Sequence, residues 1–315
     1  MYHVPVMLNE CLDGLNIKPG GTYVDVTLGG GGHSRAILGR LGSEGHLYGF
    51  DQDADAERNW EDSGDDDARF TFVRSNFRFL RNWMRYYGVD GVDGVLADLG
   101  VSSHHLDDAE RGFAFRLDAP LDMRMNRRAG LTAAEWIATA DEGEMSRVLS
   151  LYGELRDARR MAAAIARTRR DHAIATTGDL VAVLRPYVSP KAEKKELAQA
   201  FQALRIEVNH EMQALEEMLA AAIDVLRPGG RLVVMSYHSL EDRIVKNFIR
   251  AGRADGVVEQ DFYGRRRTPL LAVGKMTVAT DAEVADNPRA RSAKLRVAEK
   301  APSGDAPTTP NTTKR

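Results

Sequence analysis

The chain has 315 residues, 43% of them hydrophobic and 28% charged, a composition that excludes disordered and fibrous classes and supplies apolar material for a large core. Its formal net charge of −3 argues against coating nucleic acid by bulk electrostatics, though not against a local basic groove. A single cysteine, Cys11, rules out an internal disulfide framework, and no window has the apolar length of a signal or a membrane span, so a soluble cytoplasmic protein is expected.

Strand and helix patterns alternate through the first hundred residues. Residues 22–27 (TYVDVT) read as a strand, 34–41 as a helix, 46–51 (HLYGFD) as a strand and 54–60 as a helix. A third strand follows at 70–74 (FTFVR), a helix at 79–87 and a fourth strand at 92–99 (VDGVLADL). Cys11 lies in an apolar helix-like stretch and reads as a core residue, and the acidic run 61–67 reads as a solvated loop. Strands joined by helices of this length imply right-handed crossovers, hence an α/β fold with a doubly wound, mostly parallel sheet. The alternation then stops for roughly 130 residues, far more than one crossover helix needs. Helices are expected there at 142–152, 155–169, 177–184 and 196–226, the last carrying an apolar stripe of Leu204, Val208, Met212, Leu215, Leu219, Ile223 and Leu226. Pro228-Gly229-Gly230 stops that helix, a strand follows at 231–236 and a helix at 239–250. Beyond it the chain reads as basic and irregular, with a Pro- and Thr-rich tail expected to be disordered. An inserted helical domain inside an α/β domain is the simplest account.

The glycine run at 29–32 sits between the first strand and its helix, where a backbone without side chains can approach a ligand closely. A dinucleotide fingerprint needs a third glycine three residues after the second, and that place holds Ser34 or Arg35 in the two registers. What remains is Asp25 inside the strand followed by glycines, a pattern methyltransferases use around the amino-acid end of S-adenosylmethionine. His33 and Ser34 open the helix, and Ser34 reads best as its cap. Asp51 ends strand two, about 20 residues beyond the glycines, where a carboxylate accepts hydrogen bonds from ribose hydroxyls. Asp53 reads as a solvated neighbour. Phe77, just after strand three, can cover an adenine or serve as a plain core residue. Asp98 ends strand four, and ligands of open α/β sheets bind beyond the carboxyl ends of the strands, so it points into the reaction crevice.

Several blocks in this chain are highly specific. They include HVPVMLNE (3–10), GGGGHS (29–34), DLGVSS (98–103), LDDAERGFAF (106–115), PLDMRM (120–125) and AAEW (133–136). Later come FQALRIEVN (201–209), LRPGGRL (226–232), SYHSLEDRIVK (236–246) and NPRARSAKLR (287–296). By these blocks the chain resembles, over roughly residues 1–300, the bacterial small-subunit ribosomal RNA methyltransferase H family, also called MraW. That family methylates the exocyclic N4 amine of a cytidine near the decoding centre. The resemblance implies a class I, Rossmann-like fold and S-adenosylmethionine as cofactor. It places cofactor contacts on Gly31, Gly32, His33, Asp51, Phe77 and Asp98, and on His105, which stands where the family has glutamine. Ala200 stands where threonine is common, which removes any hydroxyl role there. The implied partner is 16S ribosomal RNA in the small subunit, with no membrane and with a homodimer as one assembly the sequence allows.

The chemistry asks for alignment and for hydrogen-bond acceptors on the amine, because the cytosine N4 lone pair is delocalised into the ring. Asp98, Tyr237 and His238 are the catalytic candidates, and no metal is required. Tyr237 stands where phenylalanine is usual, which favours an aromatic face for the base. Ser239 with Asp242 reads as a capping box, and His238 also as a brace of the turn. A basic rim is expected from Arg265–Arg267 after Phe262 and Tyr263, from Arg289, Arg291, Lys294 and Arg296, and from Arg156, Arg159, Arg160, Arg167, Arg169 and Arg170. These readings divide the chain into a methyltransferase domain at 1–105 and 206–300, a mostly helical substrate-recognition insertion at 106–205 and a tail at 301–315. One alternative is the same fold with another acceptor, although DNA amine methyltransferases typically carry Pro-Pro-aromatic after strand four, where this chain reads DLGV. Another is a non-catalytic ribosome-assembly factor with a vestigial cofactor site, which intact Asp51, Asp98 and glycines argue against.

Overall fold

The computed structural model describes residues 5–64, 66–101, 108–260 and 268–302. Its contacts divide the chain into two compact units, one of residues 1–100 with 212–315 and the other of residues 101–211. Arg265–Arg267, His105 and the tail beyond residue 302 lie outside the described residues.

The first unit is built on one sheet. Its strands are β1 (Thr22–Asp25), β2 (His46–Asp51), β3 (Phe70–Arg74), β4 (Val92–Asp98), β5 (Leu226–Ser236), β6 (Leu270–Ala272), β7 (Thr277–Val278) and β8 (Lys294–Lys300). The order is β3-β2-β1-β4-β5-β8-β6, with β7 also on β8. β3 through β5 run parallel, and β8 is antiparallel to β5, β6 and β7. The sheet is therefore mixed, and the stretch expected to be irregular supplies three of its strands. Composition hid them: β8 (KLRVAEK) is mostly polar, buries only Leu295 and Ala298, and sets Glu299 opposite Arg231 at 2.9 Å.

Side chains alternate across the sheet, so strand parity decides which helices each residue meets. Val24, Val26, Val95, Ala97, Leu232 and Val234 face one core. The helices on that side are α4 (Leu80–Tyr86), α10 (Glu211–Val225) and α11 (Ser239–Ala251), contributing Met84, Met218 and Phe248. Tyr23, Leu47, Leu96, Val233 and Met235 face the other core with α1 (Leu8–Leu15), α2 (Gly32–Leu38) and α3 (Ala54–Asp62). Cys11 is buried on this side, and desolvation pushes its thiol up, as a core residue requires. Asp25, Asp98 and Tyr237 share the parity of this second face, which is why they meet α2.

The second unit packs α5 (Ala133–Thr139), α6 (Glu142–Leu151), α7 (Ala158–Asp171), α8 (Thr177–Leu184) and α9 (Glu193–Asn209) around its own core of Met145, Ile165, Leu180 and Leu204. The single helix expected at 196–226 is two helices, broken where His210 adopts φ 50°. Leu226 already belongs to β5. Asn209 fixes the break: its amide donates to the carbonyls of Met123 and Arg205, and its oxygen accepts from Met125 N. Arg111, 1% exposed, donates to the carbonyls of Arg124 and Met125. The PLDMRM block is thus a strapped loop held from two sides.

Candidate active site

The turn from β1 into α2 admits no side chain. Gly29 and Gly31 have φ of 50° and 75°, and a Cβ on Gly32 would lie 2.3 Å from Pro5 Cγ. Gly31 caps α2 with backbone alone. Ser34 is therefore not the cap: it is fully buried, and its hydroxyl donates to Asp25 Oδ2 at 2.7 Å. Asp25 Oδ1 accepts from Thr27 N, and the Thr27 hydroxyl in turn accepts from Asp98 N at 2.7 Å. Thr27 so ties the carboxyl end of β1 to that of β4.

Asp98 is the centre of the arrangement. Its Oδ1 accepts the Tyr237 hydroxyl at 2.8 Å, and its Oδ2 lies 3.7 Å from His33 Nδ1. His33 is buried, with Nε2 3.1 Å from the Val6 carbonyl. Desolvation pushes the Asp98 carboxyl up to about 6, against the opposing pull of His33 and of the Tyr237 hydrogen bond, while Asp25 and Glu241 add to the rise. Its side chain keeps 24% of its surface accessible, so one side of it remains open to a ligand. The Tyr237 phenol is pushed up by burial and by Asp98, which keeps it a hydrogen-bond donor. Gly100, at φ 100°, leaves room for the tyrosine ring, since a Cβ there would stand 3.3 Å from Cδ2.

Asp51 stands at the end of β2, holding Gly29 N at 2.9 Å and Asp53 N at 2.8 Å on its two oxygens. It therefore supports the glycine turn as well as facing the same strand ends. Asp53 is not a solvated bystander: it is 6% exposed and caps α3 by accepting from Asp55 N. Asn76 joins the loops after β2 and β3 through Gln52 at 3.0 Å, which sets Phe77 at the start of a short 3-10 turn. Phe77 is half-buried and packs on the core below.

Beyond β5 the capping box is shifted by one residue from the sequence expectation. His238, not Ser239, is the N-cap of α11, and Glu241, not Asp242, is its partner. Asp242 instead binds Arg296 at 2.8 Å and Lys294 at 3.5 Å. Glu241 is 2% exposed, accepts from Tyr237 N at 2.9 Å and lies 3.1 Å from His238 Nε2. Sequence reasoning missed Thr27, Ser34 and Glu241 as site residues. Only the His-x-x-Glu spacing carried a signal, for Glu241; the other two depend on strand parity.

These residues suit S-adenosylmethionine. The β1–α2 turn is bare backbone, Asp51 is a carboxylate at a strand end already oriented by two N–H groups, and Asp98 is a poorly solvated anion that a cation complements better than water does. The fold and the site define a class I, S-adenosylmethionine-dependent methyltransferase.

A model of the MraW methylase family matches residues 1–301. The chain is 60% identical over 301 residues to ribosomal RNA small subunit methyltransferase H of Phocaeicola vulgatus, covering 95% of this chain and 98% of the relative. It is 61% identical over 301 residues to the protein of the same name from Parabacteroides distasonis, at 95% and 97% coverage. Among solved structures, a putative rRNA-methylase from Clostridium thermocellum aligns over 96% of this chain and all of its own, at 15% identity and a TM-score of 0.44. On the sequence matches, the chain belongs to the MraW methylase family.

Proposed function

We propose that the protein transfers a methyl group from S-adenosylmethionine to the exocyclic N4 amine of a cytidine in the decoding region of 16S ribosomal RNA, acting on the small subunit in the cytoplasm. The observation that carries the reading is Asp98, a carboxylate at a strand end with one oxygen under a phenol, the other 3.7 Å from His33 Nδ1, and part of its side chain accessible. The near end-to-end identity with relatives named for the small-subunit RNA supports the acceptor class, and the block resemblance supports cytidine N4.

In this reading Gly31 and Gly32 admit the amino-acid end of the cofactor, His33 and Asp98 border its sulfonium, Asp51 accepts from its ribose, and Phe77 covers its adenine. His105 stands for the family glutamine. When bound, S-adenosylmethionine supplies an already activated methyl group, so the protein's work is alignment and hydrogen bonding. Asp98 accepts from the amine and Tyr237 offers its ring to the base. His238 acts on the acceptor side by fixing the loop that carries Tyr237, since both its ring nitrogens face Glu241. Arg156, just before α7, and Arg159 and Arg170 on it are exposed and suited to phosphate. The test is transfer of labelled methyl to small subunits from a strain lacking the modification, followed by nucleoside analysis. Label in N4-methylated cytidine is expected, and label confined to any other nucleoside overturns the assignment.

A further inference from the structure

We propose that the proton lost by the acceptor amine is received jointly by Asp98 Oδ2 and His33 Nδ1, with the Tyr237 hydroxyl as the positioning group that leaves Oδ2 as the receiving atom. The inference rests on the methyl-transfer reading of this site and assigns it a proton acceptor.

A backbone carbonyl only accepts, so the 3.1 Å contact with the Val6 carbonyl requires that His33 Nε2 carry a hydrogen. In the neutral ring Nδ1 is then a bare lone pair, and it faces Asp98 Oδ2 at 3.7 Å. Two acceptors confront one another with nothing between them. One proton converts that opposition into an attraction that draws the two atoms from 3.7 Å toward hydrogen-bond distance, whichever of them holds it. The other carboxylate oxygen is already committed to the Tyr237 hydroxyl at 2.8 Å, and the Asp98 backbone N–H to Thr27. Among the described residues, Oδ2 is the Asp98 oxygen that carries no hydrogen bond.

The surrounding charges favour uptake. Burial raises the proton affinity of Asp98 most, and Asp25 from β1 and Glu241 from α11 add to it; His33 from α2, once it carries a proton, and the Tyr237 hydrogen bond lower it. Cys11 from α1 is a neutral thiol, its ionisation opposed by burial and by Asp98 itself. The carboxyl stands at about 6, within reach of physiological pH.

The step balances as follows. The amine nitrogen gains the methyl carbon while the donor's carbon–sulfur bond breaks, its electron pair remaining on sulfur. An N–H bond of the resulting cation then breaks, its pair returning to nitrogen and its proton passing to Oδ2, where Nδ1 shares it. Solvent takes that proton when the products leave.

The test is the pH dependence of the single-turnover rate, measured with S-adenosylmethionine and small subunits both saturating, for wild type, His33→Gln and Tyr237→Phe. Wild type loses rate toward acid pH, because a proton-loaded pair cannot accept another. Tyr237→Phe removes a hydrogen bond that favours the carboxylate and is expected to move the acid limb to higher pH, whereas His33→Gln removes the opposing lone pair and the second holder of the proton and is expected to move it to lower pH, each by about half a unit or more. Acid limbs that coincide with wild type in both variants, even at reduced rate, overturn the proposal and leave the two residues structural. Should His33→Gln fail to fold, by circular dichroism, Tyr237→Phe decides alone, since it removes one hydroxyl and keeps the ring. The product nucleoside formed by wild type is read first. Absence of N4-methylated cytidine there refutes the methyl-transfer reading, whereas its presence with unshifted limbs refutes only the proton assignment.

Discussion

Asp98 ends β4 with one oxygen under a phenol, the other facing an imidazole, and two further carboxylates nearby. Its proton affinity is raised above that of an ordinary aspartate, so the sign for stability follows. Below the ordinary carboxylate value both folded and unfolded chains hold the proton and there is no penalty. As pH rises from about 4 through 6 the unfolded chain releases its proton first, and stability falls. Asp98→Asn keeps the acceptor for Tyr237 and discards the charge. It is expected to be more stable than wild type at pH 7 by on the order of 2 kcal/mol in urea unfolding, with the gain vanishing near pH 4, while methyl transfer falls by about 100-fold or more. Asp51→Ala should weaken S-adenosylmethionine binding by about tenfold or more in titration calorimetry, because it removes the proposed ribose acceptor and the acceptor that holds Gly29 N in the turn. Both aspartates were legible in the sequence because a strand end fixes where a side chain must point. Ser34 and Asp53 were read wrongly for a related reason. Whether a hydroxyl or carboxylate caps its own helix or reaches a neighbouring strand depends on where tertiary packing starts the helix, and Gly31 starts α2 without a side chain.

At the scale of elements, α11 shows how a cap can serve a site. His238 and Glu241 close the first turn of the helix, and the same Glu241 holds Tyr237 N. His238→Ala is expected to cost about 1 kcal/mol of stability and to lower the transfer rate, whereas His238→Asn, a residue that caps well, should restore most of both. Equal loss of rate in the two variants would instead give the imidazole a direct part in the chemistry. The helix expected across 196–226 illustrates what periodicity cannot see. A 3.6-residue stripe survives one left-handed residue, so the pattern of apolar positions runs past His210 although the backbone turns there. The break is enforced by Asn209, which bonds to Met123, Met125 and Arg205. Asn209→Ala should destabilise the residue 101–211 unit by roughly 1–3 kcal/mol, measured by denaturant unfolding.

At the scale of the whole chain, an acidic balance coexists with arginine clusters that are not equivalent. Arg169 donates to the carbonyls of Ile137 and Ala140, and Arg296 is paired with Asp242. Arg156 stands exposed just before α7, and Arg159 and Arg170 stand exposed on it. Replacing these three with Gln should lower the salt slope of binding to small subunits by roughly 2–3 units in log–log form, while replacing Arg169 should chiefly lower the melting temperature. The parallel half of the sheet was legible because its strands are apolar runs between helices. The antiparallel half was not, because β8 lies between two strands yet buries so little apolar surface that its letters resemble a solvated loop.

That placement of β8 sets a timetable. Synthesis delivers β5 and the Tyr237 loop long before residues 294–300, and until those arrive β5 presents a bare row of backbone donors and acceptors from Arg231 to Ser236. The nascent protein thus carries an unguarded sheet border on the strand next to the one that ends in Asp98. A transcript broken before the codons for residues 294–300 therefore yields a sticky fragment instead of a slower enzyme.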